Sequence, residues 1–212
     1  MARDRKDKST IDFYHRYDAD VIDKPWNIPT EFPDLTKYKQ VAVDLETCDP
    51  NIKTFGPGWA RKDGFIVGVA VAAGDYYGDF PIRHENGHSL DPKITLRWLK
   101  KQMETPHIDK IMHNATYDLG WLRAEGIEVQ GRVIDTMVTG AIVDENRFKY
   151  SLDSLSKDYL NEEKYKYDLQ QKTLEWSGGT VKDPMTNMHK LPASIVKEYA
   201  KQDVSLTLRL WN

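Results

Sequence analysis

The 212-residue chain has a single cysteine, Cys48, so no intramolecular disulfide can hold it together, and a reducing, cytoplasmic setting is expected. No pattern pairs Cys48 with a histidine, which favours a small buried residue over a nucleophile. Long apolar runs are missing too. Nothing reaches membrane-spanning length, and Met1-Ala2-Arg3-Asp4-Arg5-Lys6-Asp7-Lys8 lacks the apolar core of a signal peptide, so no membrane partner is expected. There is no surplus of positive charge: 30 Lys and Arg stand against 33 Asp and Glu, a formal net charge of −3. That excludes passive coating of a polyanion, though not an acidic site that works on one through bound cations. Internal repeats and low-complexity tracts are absent. What remains, 40% hydrophobic and 30% charged residues, suffices for one ordinary core.

Composition divides the chain near residue 38. Residues 1–38 read as an N-terminal arm, charged at the start and then carrying Pro25, Pro29 and Pro33 among scattered aromatics (Phe13, Tyr14, Tyr17, Trp26) that suggest it packs on something. Residues 39–212 read as one domain. Gln40 to Glu46, Phe65 to Ala73 and Tyr76 to Ile82 are expected strands, with Gly74-Asp75 turning between the last two. Asp49 to Gly64 is expected as a loop at the mouth of whatever the first strand presents.

Helical spacing follows at Pro92 to Met103, Ala115 to Glu125, Thr136 to Val143, Ser151 to Leu160, Tyr165 to Trp176 and Pro192 to Trp211. Short strands at Asp109 to His113 and Val133-Ile134 interrupt the helices, and Ser177 to Lys190 reads as a loop. Three meandering strands, then alternating helices and strands, then helices alone, predict an α/β fold built on a mixed sheet.

Three short patterns carry chemistry. In Asp44-Leu45-Glu46 the two acids are two apart on a strand and project to one side of its C-terminal end, where open α/β sheets present their sites. Carboxylates forced together need compensating positive charge, although a strand edge with solvated acids explains this pair alone equally well. In Asn114-Ala115-Thr116-Tyr117-Asp118, Asn114 and Asp118 share one helix face if a helix begins near residue 115, with Asp118 in the first turn where the macrodipole favours an anion. In Tyr199-Ala200-Lys201-Gln202-Asp203, Tyr199 and Asp203 again share a face. The stripe Ile195, Val196, Ala200, Val204 and Leu208 would press that helix on the sheet and bring Asp203 near the first strand. The second and third patterns taken singly are common on ordinary helices. The four acids supply only oxygen ligands, with His113 the one nearby nitrogen donor, which points to Mg²⁺ or Mn²⁺ rather than structural zinc.

In order and spacing the three patterns resemble the Exo I, Exo II and Exo III motifs of the DEDDy 3′→5′ exonucleases, and more narrowly the proofreading domain of phage-like family A DNA polymerases. Ile134-Asp135-Thr136-Met137, Leu152-Asp153-Ser154-Leu155-Ser156 and His189-Lys190-Leu191-Pro192 extend the likeness from about Tyr38 to Trp211.

The resemblance implies an RNase H-like fold, three antiparallel strands followed by parallel ones, flanked by helices. It implies two divalent cations, one held by Asp44, Glu46 and Asp203, the other facing Asp44 and Asp118. These would polarise the scissile phosphate, activate the attacking water and neutralise the leaving 3′ oxygen. Tyr199 would orient the water; its ordinary pKa near ~10 makes it a poor base at neutral pH. Asn114, Tyr117 and Thr47 match positions that contact the substrate's terminal nucleotides.

The implied substrate is single-stranded DNA or a frayed primer 3′ terminus, hydrolysed to nucleoside 5′-monophosphates. A C-terminal polymerase module absent from this chain is the implied partner, and a fragment excised from a polymerase is the favoured of two readings, the other being a free-standing exonuclease on the same fold. Lys164, Tyr165, Lys166, Tyr167, Lys172, Trp176, Lys182, His189 and Lys190 form a candidate single-strand track, while core aromatics with solvated lysines are an equal reading of each residue singly. The alternatives are a free-standing exonuclease trimming RNA 3′ ends in the manner of RNase D, a non-catalytic nucleic-acid-binding module, and an interaction protein with its acids on a solvated face.

Overall fold

A computed structural model describes residues 29, 31–164, 166–177 and 184–212; most of the arm, with Phe13, Tyr14, Tyr17 and Trp26, and Tyr165 and Lys182 of the track lie outside them. The strands are β1 Gln40–Cys48, β2 Phe65–Ala73, β3 Tyr76–Pro81, β4 Asp109–Met112 and β5 Val133–Asp135. After β3 the α-helices are α1 Pro92–Met103, α2 Ala115–Ala124, α3 Thr136–Val143, α4 Leu152–Leu155, α5 Lys166–Ser177 and α6 Ala193–Trp211. The sheet order is β3-β2-β1-β4-β5, with β1, β2 and β3 antiparallel and β1, β4 and β5 parallel, the mixed sheet that the sequence predicts.

Alternation along β1 sorts its side chains between two layers. Val41, Val43 and Leu45 join Val69, Val71 and Phe80 in a core closed by Leu99 and Met103 of α1 and Trp121 and Leu122 of α2. The end of the segment read as an arm packs into this layer. Leu35 is fully buried, Phe32 stacks on Phe80 with centroids 5.5 Å apart, and Trp98 Nε1 donates to the Pro33 carbonyl at 2.8 Å. On the other face Ala42, Ala70 and Ala72 meet Ala200, Val204 and Leu208 of α6. Alanines on both sides let α6 lie close to the strands, so a short carboxylate on α6 can reach the row of residues on β1.

Three segments depart from the sequence pattern, the first being the expected Asp49 to Gly64 loop, which contains a helical turn, Ile52–Phe55, and a 3₁₀ turn, Gly58–Arg61. The helix expected over Ser151–Leu160 is regular only through α4 and continues as a π-helical turn, Ser156–Leu160. The wider turn rotates the face, so Leu152 and Leu155 are buried while Tyr159 is 50% exposed. The expected 177–190 loop contains a 3₁₀ segment, Pro184–Lys190, whose Met188 packs with Leu169, Leu191 and Val196 in a small core of its own.

Asp135 starts two helices at once. Its carboxylate accepts from the backbone N–H groups of Asn114 (3.0 Å), just ahead of α2, and Ala115 (2.8 Å), its first residue, and from Met137 N (2.9 Å) in α3. Asp135→Ala is expected to cost about 2 kcal/mol, the upper end for a single cap because two helices lose theirs, measured as a lower urea midpoint with unchanged slope.

Candidate active site

The site forms where β1 outruns its parallel neighbour. β4 pairs with β1 only over Gln40–Ala42, which leaves the Leu45 N–H without a strand partner on that side. Asp118, in the first turn of α2, takes it: Asp118 Oδ1 accepts from Leu45 N at 3.1 Å. This bond carries the Asp118 carboxylate to the strand that bears Asp44 and Glu46. A register shift between Glu46 and Thr47 ends the regular alternation just past the second acid. From the α6 layer, Asp203 and Tyr199 descend on the same place.

The result is a row of four carboxyl groups in which Asp44 interacts with both Asp203 and Asp118 and Glu46 with Asp44 and Asp203; Glu46, Asp118 and Asp203 are no more than 5% exposed and Asp44 is half-buried. Burial, and then Asp203, pushes Asp44 up to about 7. Glu46 is held well above the carboxylate range by burial and then by Asp44, Asp203 and Asp79. Asp118 is raised by burial and Asp44, against the pull of the Leu45 N–H. Asp79 is a fifth acid that motif spacing did not reveal. It pairs with Ala70, which pairs with Asp44, so it sits two strands across the same face, and burial raises it to about 7. Burial and the neighbouring acids also raise Tyr199 well above its usual range, so its phenol stays neutral.

Lys164 answers part of this charge from inside the cluster. Lys164 leaves the candidate single-strand track and turns inward. Its Nζ lies 2.5 Å from Asp203 Oδ2 and 3.3 Å from Tyr199 Oη, with lysine and aspartate side chains only 8% and 7% exposed. Glu46 Oε1 is buried with no hydrogen-bond partner among the described residues. Oxygen-only donors, mutual repulsion and an unpartnered carboxylate oxygen suit a hard divalent cation. Among the described residues no three His, Cys, Asp or Glu side chains are already drawn together as a metal cage; an amine stands among the acids instead.

Beside the acids lies a cleft of about 260 Å³ whose walls include Glu46, Thr47, Tyr117, Tyr199, Met185 and Met188. Thr47 Oγ1 and Tyr117 Oη are hydrogen-bonded at 2.8 Å, and Tyr117 Oη donates to Asp49 Oδ2 at 3.2 Å. Two of the three substrate positions expected from sequence are therefore joined. Asn114, the third, is not on the helix face shared with Asp118. It takes a left-handed conformation (φ 63°) ahead of α2, makes no capping bond with its own side chain, and is exposed at the rim. Asparagine tolerates that backbone better than most residues, and Asp135 performs the capping.

The other candidates named from the sequence sit as follows. His113 is held at about 4 by burial and pairs with Thr136 Oγ1 at 2.8 Å. Cys48 is buried and its thiol pushed up. His189 is buried with its Nε2 3.3 Å from Glu85 Oε1; Lys172 and Lys190 are half-buried. His84 Nδ1 meets the Leu191 carbonyl at 2.8 Å and Asn86 Nδ2 donates to Lys190 O at 2.7 Å, a clasp that fixes the entry to α6 and so the position of Tyr199.

Comparison with known proteins places the chain in a family. A family model described as 3′–5′ exonuclease, of the DNA polymerase A type, matches residues 31–212. The chain is 33% identical over 184 residues to DNA polymerase DpoZ of Salmonella phage PMBT28, covering 85% of this chain and 27% of that protein. It is 30% identical over 197 residues to the DNA-directed DNA polymerase of Pseudomonas phage M6, covering 90% of this chain and 29% of that one. The chain thus spans under a third of the length of these relatives.

Among solved structures, Trypanosoma brucei RNase D aligns with a TM-score of 0.60 at 17% identity, over 82% of this chain and 56% of that one. Brucella melitensis NrnC with bound Mg²⁺ aligns with a TM-score of 0.54 at 19% identity, over 85% of this chain and 74% of that one. Both share the RNase H-like fold.

Proposed function

Because this chain belongs to the 3′–5′ exonuclease family of family A DNA polymerases, we propose that it hydrolyses DNA from the 3′ end, releases nucleoside 5′-monophosphates and serves as the proofreading part of a longer polymerase. The observation that carries this reading is the meeting of Asp44, Glu46, Asp118 and Asp203 beside a nucleotide-sized cleft. Asp44, Glu46 and Asp203, and Asp44 with Asp118, would hold two divalent cations, Mg²⁺ or Mn²⁺, whose Lewis acidity would activate water and neutralise the leaving oxygen.

The chain's own groups do the rest. The neutral Tyr199 phenol holds the attacking water by hydrogen bonding and takes no proton from it. Thr47 and Tyr117, already bonded to each other, hold the terminal nucleotide along the cleft wall, and Asn114 reaches it from the rim. In the net reaction water oxygen bonds to phosphorus, the bond from phosphorus to the 3′ oxygen breaks, and a proton ends on that oxygen.

The DNA assignment rests on the polymerase relatives, and the same relatives support a polymerase module as the partner in the longer protein. Residues 1–38 are taken as the arm and 39–212 as the exonuclease domain, with Leu35 and Phe32 anchoring the end of the arm. A matched pair of 5′-labelled DNA and RNA strands tests the substrate. The DNA strand is expected to shorten at least tenfold faster with Mg²⁺, and faster shortening of the RNA would establish the RNase D-type reading instead.

A further inference from the structure

Phe55 stands 67% exposed in the loop between β1 and β2, at the end of a single helical turn, Ile52–Phe55. Exposure alone says little about a phenylalanine; the way this one is held says more. Arg61 spreads its guanidinium over three successive carbonyls, donating from Nη1 to Phe55 O (2.7 Å) and Pro57 O (3.4 Å) and from Nη2 to Gly56 O (3.0 Å). The same guanidinium carbon lies 5.6 Å from the centroid of the Phe55 ring. The backbone on either side of the ring is therefore fixed, and the ring has a cation against it.

The loop is also tied to the cleft. Asp49 Oδ2 accepts from Gly58 N at 2.9 Å and from Tyr117 Oη at 3.2 Å, and Tyr117 is bonded to Thr47. Ile52, three residues before Phe55 and so on the same side of the helical turn, lines the cleft together with Glu46 and Tyr199. At about 260 Å³ the cleft has room for about one nucleotide, so a strand whose terminal nucleotide entered it would leave its next base outside.

We propose that Phe55 is the stacking platform for that next base, the penultimate one of the substrate strand, with Arg61 setting the position of the ring. The inference rests on the exonuclease reading and adds a residue to it. An aromatic face accepts any unpaired base, which suits an enzyme that must remove whatever nucleotide it meets. A paired base offers no free face, so the same contact favours a frayed end over an annealed one.

The test compares wild type, Phe55→Ala and Phe55→Trp on two substrates of different length. The first is a single-stranded decanucleotide carrying 2-aminopurine at the penultimate position, titrated in EDTA and again with Ca²⁺. The second is thymidine 5′-monophosphate p-nitrophenyl ester, which has one nucleotide and no penultimate base, hydrolysed with Mg²⁺. Phe55→Ala is expected to raise the decanucleotide Kd about tenfold and to abolish the change in 2-aminopurine fluorescence, while hydrolysis of the ester is unchanged. Phe55→Trp is expected to retain both signals.

Unchanged decanucleotide binding in Phe55→Ala would overturn the assignment, as would a parallel loss on the ester, which would make Phe55 part of the terminal pocket. If the wild type with Mg²⁺ hydrolysed neither the ester nor the decanucleotide, the exonuclease reading would fail, while the binding titration in EDTA would still decide the role of Phe55.

Discussion

Asp44→Asn is expected to lower hydrolysis at least about 1000-fold and, in EDTA, to make the protein more stable. The first half follows from the position of Asp44, whose carboxyl interacts with Asp203 on one side and Asp118 on the other and so couples both halves of the cluster. Loss of a thousandfold corresponds to about 4 kcal/mol of transition-state stabilisation, within what bound cations supply.

The second half follows from linkage. Folding raises the Asp44 carboxyl from 3.8 to about 7, so the folded state holds a proton through that window while the unfolded state has lost it. The metal-free wild type therefore loses stability as pH rises from about 4 through 7, and at pH 8 it carries the full cost of an ionised Asp44. Asparagine removes that cost. Discounting for the partial exposure of Asp44 leaves about 2 kcal/mol of stabilisation at pH 8 and little at pH 5. Urea titrations at the two pH values, followed by tryptophan fluorescence, measure it. A variant that lost activity by losing its fold would show the opposite shift in midpoint.

Lys164→Met should act in the other direction. The Lys164–Asp203 pair is shielded on both sides, and removing one partner of such a pair leaves the other uncompensated, at a cost of about 3 kcal/mol at pH 8 in EDTA. The loss should shrink at pH 5, where the raised carboxyls of Asp44 and its neighbours are protonated and need less compensation. Saturating Mg²⁺ should also narrow the gap between variant and wild type, because a divalent cation replaces the missing charge. A loss of the same size in EDTA, in Mg²⁺ and at both pH values would mean that the lysine acts by packing its aliphatic stem and not by its charge.

How far the sequence reads ahead to this structure depends on the range of the interaction. β2, α1 and α3 coincide with their sequence-predicted limits, because period-2 or period-3.6 apolar patterns are bounded by local signals such as Gly74, Pro92 or Asp135. The acids were legible because strand and helix geometry dictates which side of an element each one occupies. Left-handed Asn114 was not, since its conformation depends on Asp135, 21 residues away, taking over the cap.

Lys164 was misplaced for a similar reason. Its partner Asp203 lies 39 residues along the chain, and a lysine between Glu163 and Tyr165 carries no local sign of pointing inward. The π turn at Ser156–Leu160 leaves the spacing of leucines looking helical while adding a residue to the turn. Asp135-Thr136 ahead of an apolar run is a legible helix-start signal, and it predicts α3; the second helix that the same carboxylate caps is a tertiary fact.

The most direct test of the account is the direction and metal dependence of cleavage. A single-stranded DNA labelled at its 5′ end, incubated with Mg²⁺, should give a ladder shortening one nucleotide at a time from the 3′ end, with nucleoside 5′-monophosphates released. The ladder should be absent in EDTA and in Asp44→Asn. A ladder that persisted in either would contradict the four-acid site, and no shortening of the wild type with Mg²⁺ or Mn²⁺ would contradict catalysis by this chain altogether.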